Sequence, residues 1–71
     1  MNALRSNSAQ HMAEAARSGW TTADGYRKLA ELARTLGMEA EAERCERNAD
    51  EFEGDAEECA ERAILLGYDP E

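Results

Sequence analysis

Proline occurs once in these 71 residues, histidine once, cysteine twice, and aromatic side chains only four times (Trp20, Tyr26, Phe52 and Tyr68). With one proline, few aromatics and fourteen alanines, the chain has helix-forming material and little from which to build a sheet. Two cysteines are too few for a disulfide-built secreted miniprotein. The longest unbroken apolar run is Ala63-Ile64-Leu65-Leu66, far short of the roughly 20 residues that cross a bilayer. The opening stretch MNALRSNSAQ has no apolar segment of the kind a secretory signal carries. These absences predict a single acidic helical domain over residues 1–71, located in the cytoplasm and without a membrane partner.

Large apolar residues are also scarce, about fifteen even with Met and Cys included, and alanine buries little area per residue. At this length one core seldom supplies more than about 3–5 kcal/mol of net stability. Association with a second copy or with another protein is therefore the expected way to complete the fold.

Charge is abundant and uneven. Residues 1–37 hold five bases and three acids, a net of +2, whereas residues 38–71 hold thirteen acids and three bases, a net of −10. The acidic half repels phosphate backbones, which disfavours direct nucleic-acid binding. It suits docking onto a basic protein surface or head-to-tail pairing with the basic half of another copy. The plainer account is that these acids keep an alanine-rich helix in solution.

Along the chain, Asn2, Ser6 and Ser8 are competent N-caps for a first helix bearing Ala9, Met12, Ala13, Ala16 and Trp20, with Gly19 as its end. Thr21 with Asp24 resembles a capping box for a second helix carrying Thr22, Tyr26, Leu29, Ala33 and Leu36, closed by Gly37. From Met38 the stripe runs through Ala42, Cys45, Ala49, Phe52, Ala56, Cys59, Ala63 and Leu66. One unbroken helix fits these intervals, and so do two helices turning at Gly54-Asp55. The break is favoured because glycine costs about 1 kcal/mol inside a helix and aspartate caps better than it propagates. Gly67 and Pro70 close the chain. The fold expected is all-α, a small bundle of about four short helices near residues 4–18, 22–36, 38–53 and 55–66.

Residues 23–56 match a 34-residue repeat pattern without insertion: Tyr26 at its aromatic, Leu29 at its leucine, Ala30 at its small residue, Gly37 at its turn, and Ala42 and Ala49 where paired helices approach. Gly54 stands where the repeat would close with proline, Ala33 where it has a second aromatic, and Glu46 where a large apolar residue is usual. This stretch resembles a tetratricopeptide-like helical hairpin, with residues 56–66 as a capping helix. The resemblance implies a ligand on the exposed side of the first hairpin helix, at Asp24, Arg27, Lys28, Glu31 and Arg34. The competing reading is that these charges are solvated and pair with one another at i,i+3 and i,i+4.

Signs of catalysis are missing. His11 has no second histidine at a metal-ligand spacing, and there is no C-x-x-C. Cys45 and Cys59 lie fourteen residues apart, about 21 Å on a straight helix, and read as small buried thiols in a reducing compartment. Asp50–Asp55 fails the calcium-loop pattern because Phe52 and Gly54 take ligand positions three and five. The chain reads as a non-enzyme without cofactor or metal. Its expected role is protein–protein interaction through Glu39, Glu43, Glu46, Asp50, Glu53 and Glu57, with Arg27 and Arg34. The partner would be another protein, including a nucleic-acid-binding one whose basic groove the acids would occupy. In size, acidity and helical content the chain is similar to small phage-encoded anti-defence proteins such as anti-CRISPR proteins. A self-associating structural or adaptor protein, a homo-oligomer, is the alternative.

Overall fold

The computed structural model describes residues 3–67, with side chains from Ser8 onward. Two helices, α1 (Ala3–Thr35) and α2 (Glu39–Leu65), fold into one antiparallel hairpin. The result is a rod 55 Å long and about 16 Å across. This overturns the expected bundle of about four short helices. α1 runs unbroken through Gly19, Thr21 and Asp24, and α2 runs unbroken through Gly54 and Asp55. Asn2 and Pro70, assigned above to helix boundaries, lie outside the described residues, and Ser6 and Ser8 fall within α1.

The reason for the two long helices is the alanine repeat. Among the described residues every buried one is alanine: Ala9, Ala13, Ala16, Ala23, Ala30 and Ala33 on α1, and Ala42, Ala49, Ala56 and Ala63 on α2. Ala9, Ala16, Ala23 and Ala30 recur every seven residues, as do the four on α2, and a strict seven-residue repeat keeps one seam facing the partner helix. Breaking either helix at its glycine would interrupt that seam, so continuity outweighs the roughly 1 kcal/mol that an interior glycine costs. Thr21 is no cap, since it lies inside α1, and the neighbouring Thr22 hydroxyl donates back to the Ser18 carbonyl at 2.9 Å, one turn earlier in the same helix.

Beside the alanine line runs a second one, formed by Met12, Gly19, Tyr26 and Ala33 on α1 and by Cys45, Phe52, Cys59 and Leu66 on α2. Tyr26 and Phe52 stack across the hairpin with ring centroids 5.7 Å apart. Cys45 packs against the cluster of Ala30, Ala33 and Ala42. Both cysteines are free thiols and half-buried rather than fully buried, because the alanine line sits between the helices and the cysteine line at its edge. Leu29 and Leu36, expected in the stripe of the second helix, are exposed.

The turn is specified by Gly37, whose φ is +78°. The Gly37 N–H donates to the Arg34 carbonyl at 3.0 Å and the Met38 N–H to the Ala33 carbonyl at 2.8 Å. This pair of hydrogen bonds around a left-handed residue satisfies the Ala33 and Arg34 carbonyls at the end of α1. α2 then begins without a side-chain cap, and Glu39 and Glu41 in its first turn offset the positive end of its dipole.

Candidate functional site

The hairpin brings most of the expected interaction residues together on one edge. Arg27 on α1 reaches Glu53 at 2.5 Å and Asp50 at 3.4 Å on α2. One heptad nearer the turn, Arg34 reaches Glu46 at 2.6 Å and Glu39 at 3.9 Å. These contacts raise the pKa of both arginines: the Glu53 hydrogen bond comes first for Arg27 and the Glu46 hydrogen bond for Arg34. The hydrogen bond from Arg34 likewise holds the Glu46 carboxyl below the usual glutamate range, against a smaller opposing effect of desolvation.

Six of the eight residues named for partner binding (Arg27, Arg34, Glu39, Glu46, Asp50 and Glu53) therefore spend their charge within the hairpin. Glu43 and Glu57 do not. They share one outward line of α2 with Asp50, at seven-residue intervals, and both are exposed. On α1, Lys28 pairs with Asp24 at 3.5 Å, and Glu31 is exposed.

Sequence reasoning did not isolate the set that carries unspent charge. Among the described residues, Glu43, Glu51, Asp55, Glu57, Glu58 and Glu61 enter no ion pair. All six are exposed. The register across the Gly37 turn distinguishes them from Glu39, Glu46, Asp50 and Glu53, which meet Arg27 or Arg34, whereas Glu41 is paired within α2 by Arg44. Eleven carboxylates and three arginines leave α2 at −8.

Concave sites are slight. Near the open end of the hairpin, Ala13, Ala16, Ala60 and Ala63 floor a half-open apolar depression of about 160 Å³ walled by Trp20 and Ile64. Small-molecule pockets run to about 300–1,000 Å³ and enclose most of their ligand. Among the described residues no group of three or more His, Cys, Asp or Glu side chains could hold a metal ion, and His11 is exposed. No described helix is long and apolar enough to cross a membrane. No family model, curated protein or solved structure matches the chain.

Proposed function

We propose that this protein is a small acidic protein-interaction module that lays the outer face of α2 on a basic surface of another protein. The observation that carries the reading is the set of six exposed carboxylates on α2 that enter no ion pair among the described residues. Intramolecular pairing neutralises the edge beside α1 and leaves the far face charged. The six unpaired carboxylates lie between Glu43 and Glu61, about 27 Å of helix rise or one per about 5 Å, against about 3.4 Å per phosphate along one strand of DNA. A basic groove that binds nucleic acid is thus the surface best matched in charge, and occupying it would inhibit its owner, as phage-type anti-defence proteins do. The tetratricopeptide resemblance of residues 23–56 adds support for a protein partner over a small molecule.

The test uses a chain with Glu43→Lys, Glu57→Lys and Glu61→Lys, positions that take part in no ion pair within the hairpin. Affinity capture from lysate at 0.1 M salt should recover a basic partner with the native chain and lose it with the triple variant. Added nucleic acid should compete the partner away, as should about 0.5 M salt, where screening lengths fall below about 5 Å. A partner retained equally by both chains would sink the reading.

A further inference from the structure

Three exposed leucines lie at the turn end of the hairpin: Leu29 and Leu32 on α1 and Leu36 just past its end, its N–H still donating to the Leu32 carbonyl at 3.0 Å, are 52%, 56% and 64% exposed. Together with Gly25 they fall at intervals of four, three and four, so they form one face, turned about 130° from the Ala23–Ala30 line. This seam points away from the charged face of α2. Its neighbours are electrically satisfied. Glu41 pairs with Arg44 at 2.8 Å on the α2 side, and Lys28 pairs with Asp24 on the outer rim. Arg27 and Arg34 are turned to the opposite edge by their carboxylates. A neutral apolar strip on a chain of net charge −8 gives a basic partner nothing to select. A second copy can approach it with both α2 helices held on the far sides.

We infer that this seam is a homodimer interface, in which α1 of one chain packs antiparallel against α1 of a second. The seam is self-complementary. Leu29 opposite Leu32 of the second copy, and Leu36 opposite Gly25 of the second copy, share a single midpoint between Ala30 and Glu31, so one two-fold axis satisfies both pairs. Gly25 supplies the hole for the leucine knob, since nothing stands within 4 Å of where its Cβ would be. Residues 25–36 span about 18 Å. One helix face of that length buries on the order of 500 Å² per chain, near the lower edge of specific interfaces. The dimer is accordingly reversible and concentration-dependent, with both acidic α2 faces outward. It is independent of the partner reading above: the triple reversal on α2 leaves the seam untouched.

Sedimentation equilibrium from about 1 µM to about 300 µM should show the mass rising from 7.9 kDa toward twice that value, with no loss of dimer at about 0.5 M salt. Leu32→Glu should weaken the dimer at least about ten-fold. Gly25→Glu should do the same while keeping or raising helical circular dichroism, because glutamate propagates a helix better than glycine; this separates loss of interface from loss of fold. A native chain that stays at monomer mass throughout overturns the inference. So does a dimer that survives both substitutions, or one that dissolves in salt, which would mark charge pairing between α1 and α2 as the cause.

Discussion

Gly19 on α1 lies so close to Ala56 on α2 that a Cβ built on the glycine would stand 2.9 Å from the alanine Cβ and 3.2 Å from the Phe52 carbonyl oxygen. The two backbones meet there with no side chain between them, and the alanine lines on either side are drawn together by that approach. Helical propensity alone would favour Gly19→Ala by up to about 1 kcal/mol. The clash acts on backbone and on a core Cβ, neither of which can swing aside, and overpacking of this kind costs typically about 1–3 kcal/mol. The expected outcome is a lower Tm for Gly19→Ala, read by thermal circular dichroism. An unchanged or higher Tm would mean that the helices part at this point without loss.

Gly54 provides the opposite case. It also lies inside a helix, and nothing comes within 4 Å of its prospective Cβ. Gly54→Ala should therefore raise stability by about 0.5–1 kcal/mol, through helix propensity and a less mobile unfolded chain. The gain is read as a higher denaturant midpoint at constant slope. Comparing the two variants separates a glycine required by packing from one that is not.

Those two glycines also show what could be read from residues alone. Helical content, the turn at Gly37 and the seven-residue run Ala42, Ala49, Ala56 and Ala63 were legible, because capping chemistry and periodicity are local properties. The number of helices was not. Propensity places a stop at Gly19 and at Gly54, whereas the seam overrides both, an advantage that exists only once the partner helix is present. The expected stripe held at Ala9, Ala13 and Ala16 and left the true line only over residues 22–36. Tyr26, Leu29, Ala33 and Leu36 follow helical spacing, but Ala23 and Ala30 do as well, and the smaller residues win because they let the helices come closer. The leucines were thereby left on the surface. Of the candidate site, the acidity of the second half was plain from composition. Which acids Arg27 and Arg34 neutralise required the register between the helices.

That register sets a pH dependence centred on Glu46. Its hydrogen bond from Arg34 lowers the carboxyl pKa in the folded chain relative to the unfolded one. A depressed folded value means that the unfolded state binds the proton more readily. The contact therefore contributes stability at pH values above the ordinary glutamate pKa of about 4.3, and this contribution is lost as pH falls through the lower folded value. Raw acid titration of the native chain sums over every carboxylate in the protein. The difference between native protein and Glu46→Gln removes that background. The native chain should melt above the variant at pH 6–7, and the gap should close as pH drops below about 4. Thermal melts at several pH values and low salt read the gap directly. A gap that stays constant across the range would show that Arg34 and Glu46 hold the hairpin through packing of their stems rather than through charge.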